Sequence, residues 1–205
     1  MIQSPESCCT RRPVRDARRL ATRSALVILF AVLSLAAPGC DDDETAVLSD
    51  PCLGFSSEAS AASGTVTTQL GDDSNCLAAT LEIVAAGFDD VYSLETIVYY
   101  DPTMVAFQGH SIEGSVLASD GAALTSIATP TASGELTVGV SRVAEEDGVS
   151  IDASGDMLIK LLFSLNTTVA GSSDVTLDGN CLASSGEPPV TIDGVDCSGG
   201  TFRVE

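Results

Sequence analysis

Reactive side chains are few in this chain, and their types and spacing narrow the chemistry before any fold is considered. His110 is the single histidine among 205 residues, so a Ser-His-Asp or Cys-His scheme would have to route its general base through that one ring. It follows Gly109 in a stretch that reads as a surface loop. Carboxylates for glycoside hydrolysis are plentiful at 29 Asp and Glu residues, yet no spacing singles out a pair. The reading is of a binding protein with no catalytic residues. Metal chemistry is equally thin. Cys52, Cys76, Cys181 and Cys197 include no Cys-x-x-Cys pair, which with one histidine argues against zinc. Two loops, Asp152-Ala153-Ser154-Gly155-Asp156 and Glu145-Glu146-Asp147-Gly148, concentrate oxygen ligands without matching the twelve-residue calcium loop that ends in Glu. A solvated acidic turn is the default for both, with a structural calcium as the alternative. No cofactor is expected.

The first forty residues run through three zones: a basic stretch with Arg11, Arg12, Arg15, Arg18, Arg19 and Arg23, an apolar run over 25–37, and the exit Ala36-Ala37-Pro38-Gly39-Cys40. This is the layout of an export signal. The apolar run falls short of the roughly 20 residues that a spanning helix needs, so cleavage fits better than a permanent span. The exit resembles the lipobox of bacterial lipoproteins, with Ala37 where Leu is usual. That resemblance implies a diacylglyceryl group on Cys40, which becomes the new N-terminus; an ordinary secretory signal with an incidental Cys40 is the alternative. Residues 1–39 then form a lipoprotein signal peptide. Residues 40–62, opening Asp41-Asp42-Asp43-Glu44, form an acidic, flexible tether, and 63–205 form the exported domain. Two or three acyl chains hold a membrane durably. The protein is expected to be lipid-anchored to the bacterial cell envelope, on either its periplasmic or its cell-surface side.

Losing the signal changes the charge. Of the 29 acidic residues only Glu6 and Asp16 precede Cys40, so 27 remain, against three basic residues: Arg142, Lys160 and Arg203. Nucleic acid and anionic headgroups are bound by clustered cations, so the charge argues against either as a partner. Such an excess suits a solvated surface, a basic partner or bound cations. Cys8 and Cys9 leave with the signal, and Cys40 is assigned to lipid. The four remaining cysteines lie in an oxidising compartment, where two disulfides are expected. Three pairings are open; Cys52 with Cys76 and Cys181 with Cys197 would each close a local loop, and that set is preferred.

From residue 63 onward, short apolar and Thr-rich runs alternate with Gly, Asp, Asn, Ser and Pro clusters, and no stretch holds a helical period. Strands are expected over 64–69, 76–84, 91–100, 104–108, 122–128, 135–143, 156–165, 174–177 and 197–204. Nine strands point to an all-β, two-sheet sandwich. Alternation assigns the faces: Leu136, Val138 and Val140 point inward, with Thr137, Gly139 and Ser141 outward. Over 91–100, Leu94, Thr96, Val98 and Tyr100 point inward, leaving Ser93, Glu95, Ile97 and Tyr99 outside. The alternatives are that a loop covers Ile97 and Tyr99, or that a register slip of one inverts every assignment. Apolar side chains gathered on a solvent face mark a partner surface.

The order of Gly71-Asp72 before a strand, Tyr99-Tyr100-Asp101-Pro102, the stretch 104–107, Gly134-Glu135-Leu136-Thr137-Val138-Gly139, the strand over 155–163 and the turn Ala170-Gly171-Ser172-Ser173 resembles the cohesin domain. The resemblance spans roughly residues 63–205. It implies a nine-stranded jelly-roll β-sandwich, kin in fold to some carbohydrate-binding modules, that acts as a receptor for dockerin-type protein modules in polysaccharide degradation. The family's binding sheet contains the strands matching 91–100 and 135–143. Ser93, Glu95, Ile97, Tyr99, Thr137, Gly139 and Ser141 are therefore the candidate partner-binding residues. One domain, no internal repeat and a lipid anchor resemble an anchoring cohesin more than a scaffold. Direct polysaccharide binding is the rival. Flat sugar recognition wants exposed rings, and the chain has no Trp and three tyrosines.

Overall fold

The computed structural model describes residues 50–143, 147–178, 181–184 and 188–205. The signal segment, Cys40, the start of the tether and the acidic pair Glu145-Glu146 lie outside the described residues. Residues 47–205 form one compact unit. Its strands, in chain order, are β1 (Leu53–Ser57), β2 (Thr65–Leu70), β3 (Ala78–Ala86), β4 (Phe88–Tyr99), β5 (Val105–Ser111), β6 (Leu124–Ala132), β7 (Glu135–Arg142), β8 (Val149–Ile151), β9 (Asp156–Leu165), β10 (Gly171–Asp178), β11 (Leu182–Ser184), β12 (Val190–Thr191), β13 (Asp196–Ser198) and β14 (Gly200–Val204).

They form two sheets. The smaller runs β13-β2-β3-β9-β5. The larger is organised around β4: its flank toward the chain ends carries β10 and β11 in series, while its other flank carries β7 and β8. β14 and then β1 extend beyond β10, β12 adds to β11, and β6 closes the far side against β7. β4 spans both sets because its side chains alternate without interruption over its second half, Leu94, Thr96 and Val98 buried and the residues between them turned outward. The core between the sheets is apolar and continuous. Phe163 of β9 lies near its middle, edge-on to Tyr100, Phe107 and Phe202 with ring centroids 5.2 to 5.7 Å apart.

The all-β sandwich and its face assignments follow the sequence reading; several particulars differ. There are fourteen strands among the described residues where nine were expected. β1 lies inside the stretch read as tether: Leu53 is buried, every residue of the strand pairs with β14, and Cys52 and Glu205 exchange backbone hydrogen bonds. The boundary at 63 is therefore too late, because the pairing partner lies at the opposite end of the chain. The expected strand over 197–204 is two strands. The chain crosses from the small sheet to the large one at Gly199, where any Cβ would run into the carbonyl of Val175.

Both preferred disulfides are present, Cys52–Cys76 and Cys181–Cys197. The first ties the entry of β1 to the chain ahead of β3, and the second ties the start of β11 to β13. Of the three basic residues after Cys40, two are committed to ion pairs within the fold. Arg142 is 1% exposed at its side chain and donates to the Leu117 carbonyl (2.6 Å) and to both carboxylate oxygens of Asp120 (3.2 and 2.6 Å). Lys160 faces Glu82 at 3.3 Å and Asp73 at 3.8 Å on the small sheet.

The Arg142 contact makes a pH prediction. Hydrogen bonds from Arg142 hold the Asp120 carboxyl below its usual value. A carboxyl depressed by folding contributes fully above its unfolded value, near 4, and its contribution is lost as pH falls through the lower folded value. Acid unfolding of the wild type should steepen below about pH 4, and Asp120→Asn should be less stable at neutral pH with a shallower acid limb. Equal acid limbs in the two proteins would contradict this.

Candidate binding face

The outward residues of β4 and β7 lie in register and build one surface. Ser93 pairs with Ser141, Glu95 with Gly139 and Ile97 with Thr137, so all seven residues singled out from the sequence share one face of the large sheet. β6 continues each row: Thr125 opposite Ser141, Ile127 opposite Gly139 and Thr129 opposite Thr137. β10 extends the face on the other side, with Asp178 opposite Ile97 and Thr176 opposite Tyr99. The hydroxyl row of Thr125, Ser141 and Ser93 thus runs beside a row of Ile127, Gly139 and Glu95.

Gly139 shapes the relief of this surface. With no side chain at the middle of its row, a shallow depression of about 630 Å³ opens between β6 and β4. Ile127 walls it on one side and stands 51% exposed; Glu95, also exposed, stands on the other. A Cβ on residue 139 would sit 3.2 Å from Ile127 Cγ2 and begin to fill the space.

Tyr99, 38% exposed, closes the face at the far end of β4. Its phenol is held above the usual tyrosine value, first by burial, then by the carboxylates of Asp178 and Glu135, with a hydrogen bond to Asp178 adding to the effect. The ring is therefore a neutral hydrogen-bonding group at physiological pH. Beside it the turn Asp101-Pro102 ends the strand as its residues dictate: the Asp101 carboxylate accepts from the backbone N–H and the hydroxyl of Thr103, at 2.8 and 2.7 Å, and those bonds lower its proton affinity.

β6 and β10 add to the face that the alternation of β4 and β7 defines. For β6 the signal was present, since Thr131-Ala132-Ser133-Gly134 between two alternating runs is a hairpin turn that puts the strands side by side. For β10 no local signal exists, because its pairing with β4 joins segments about 80 residues apart, as the register Thr176 with Tyr99 shows. His110, read as a loop residue, sits on β5, and its Nε2 lies 3.1 Å from Ser126 Oγ. That contact bridges the edge strands of the two sheets. The acidic stretch at 152–156 forms a turn in which the Asp152 carbonyl accepts from Gly155 and Gly87. Among the described residues no group of three or more His, Cys, Asp or Glu is placed to hold a metal ion, and no helix is long and apolar enough to cross a membrane.

No family model matches the sequence, and no curated protein matches it. The solved structures it resembles are cohesin modules. One is the sixth cohesin of scaffoldin B from Acetivibrio cellulolyticus, solved with a mutant Cel5 dockerin: identity is 14%, coverage 73% of this chain and 96% of that one, and the TM-score 0.47. A second is a non-cellulosomal cohesin from the archaeon Archaeoglobus fulgidus, at 17% identity, 76% and 91% coverage, and a TM-score of 0.44. A third is the second type II cohesin module of an adaptor scaffoldin from Acetivibrio cellulolyticus, at 15% identity, 75% and 90% coverage, and a TM-score of 0.44. The sandwich itself stands on the strand pairing described above.

Proposed function

We propose that the chain is a non-catalytic lipoprotein of the cell envelope, anchored through lipid on Cys40, that presents the outer face of β4, β6 and β7 to a dockerin-type protein module in polysaccharide degradation. The observation that carries this reading is the face itself. Ile127, Ile97 and Tyr99 place apolar area on one side of a sheet whose opposite side makes the core, with hydroxyls and carboxylates around them. Exposed apolar groups ringed by polar ones are the composition of a protein-binding patch. The motif order from Gly71-Asp72 to the turn at 170–173 supports the same partner class.

Residues 47–205 contain both disulfides and the whole described core, so this unit serves as bait. Capture from the source organism's secretome should retain proteins bearing a duplicated calcium-loop module. Replacing Ile97 and Tyr99 together by alanine removes two apolar anchors from the outer face of β4 and should weaken capture about thirtyfold or more, with thermal unfolding near that of the wild type. Capture of no such protein, or retention on insoluble polysaccharide instead, would sink the proposal.

A further inference from the structure

We propose that the depression over Gly139 receives an arginine side chain of the protein partner, its guanidinium on Glu95 and Ser141 and its methylene stem against Ile127. This deepens the reading of the face as a partner surface and rests on it.

Three observations select that side chain. The first is charge. The charged residues on the face are Glu95, Glu135, Asp174 and Asp178, all acidic; Arg142 is buried against Asp120, Lys160 lies on the other sheet facing Glu82 and Asp73, and Arg203, which β14 turns outward near Asp174, is separated from β4 and Glu95 by β10. A neutral or acidic occupant would leave Glu95 without a counter-charge at the centre of a covered surface, and desolvating a lone carboxylate is costly.

The second is the distribution of donors and acceptors. The hydroxyl of Ser141 spends its proton on the Arg142 carbonyl at 3.0 Å, which leaves its oxygen as an acceptor at the rim of the depression. Glu95 is acceptor-only when ionised. A group that brings several donors and no acceptor is the complement of that set, and guanidinium brings five in a planar fork. A lysine ammonium would supply a point charge without the fork.

The third is shape. The row Ile127, Gly139, Glu95 offers a hydrocarbon wall, an open floor and a carboxylate in that order. A side chain entering over Gly139 lays its apolar stem on Ile127 and carries its head to Glu95, which matches the bipartite build of a long cationic residue. The missing Cβ at 139 is what admits it.

The test uses defined probes on residues 47–205. Amide chemical shifts would be followed while titrating the capped tripeptide Ala-Arg-Ala, with Ala-citrulline-Ala and Ala-Lys-Ala as the uncharged isostere and the unforked cation. The expected result is saturable shifts at Glu95, Gly139 and Ile127 with the arginine peptide, at least tenfold weaker with citrulline and in Glu95→Gln. Equal response to citrulline, shifts centred elsewhere, or a Glu95→Gln protein that binds the arginine peptide like the wild type would overturn the proposal. The partner capture separates the two readings. A Glu95→Gln bait that holds the calcium-loop module as tightly as the wild type removes the arginine site and leaves the receptor standing. A wild-type bait that holds no such module removes the receptor, while the peptide titration still decides the site.

Discussion

Replacing Phe163 by alanine is expected to cost about 4 kcal/mol of unfolding free energy, enough to lower the thermal midpoint by about 10 °C in a unit of this size. Phe163 is 1% exposed and sits where four rings meet: Tyr100 just past the end of β4, Phe107 from β5 and Phe202 from β14 all present edges or faces to it. Truncation leaves a void that none of the three can close without leaving its own strand. The loss therefore includes a cavity as well as the transfer of one ring. Phe163→Leu keeps most of the volume and should cost much less. Denaturant titration measures both, and a Phe163→Ala protein within 1 kcal/mol of the wild type would show that the sheets re-close over the gap.

Removing the Cys52–Cys76 bridge by replacing both residues with alanine is expected to cost about 3 kcal/mol on the chain-entropy account. The bridge spans a sequence separation of 24 residues and encloses β1 and β2. Much of the loss should be local. β1 contacts the large sheet through β14 alone, so without the bridge its backbone amides should exchange faster than those of β4 or β9. Uniform exchange across β1 and β4 in the double variant would mean that pairing with β14 fixes the strand unaided.

What could be read from the sequence, and what could not, divides along the range of the interactions. The alternation Leu94, Thr96, Val98 and Leu136, Val138, Val140 is a local consequence of one buried face, and the structure places all six inward. With that register fixed, the seven outward residues fall on one surface. β8, β11 and β12 have two or three residues each and carry no period to detect. Alternation places Tyr100 inward with Leu94 and Val98; it is partly buried and packs on Phe163 although the strand ends one residue before it. His110 looked like a loop residue because Gly109 precedes it, yet Gly109 lies at an irregularity where β5 skips a residue against β9, and the strand continues beyond. The contribution of Ile127 to the depression needed a spatial fact, the absence of a side chain at Gly139 directly opposite. Identity alone made Gly139 a face residue; its emptiness became meaningful only beside its neighbours.

The Cys52–Cys76 bridge also decides how the protein bears tension. Whatever holds the chain ahead of Cys52, a pull from that end passes through the sulfur atoms to Cys76 and into β3, so β1 and β2 hang slack beside the line of force. A load on the face of β4 is then resisted across the two sheets rather than by peeling β1 from β14. Reduction would insert the enclosed segment into the line, adding up to about 80 Å of slack chain, a step that single-molecule stretching in oxidising and reducing buffer would resolve.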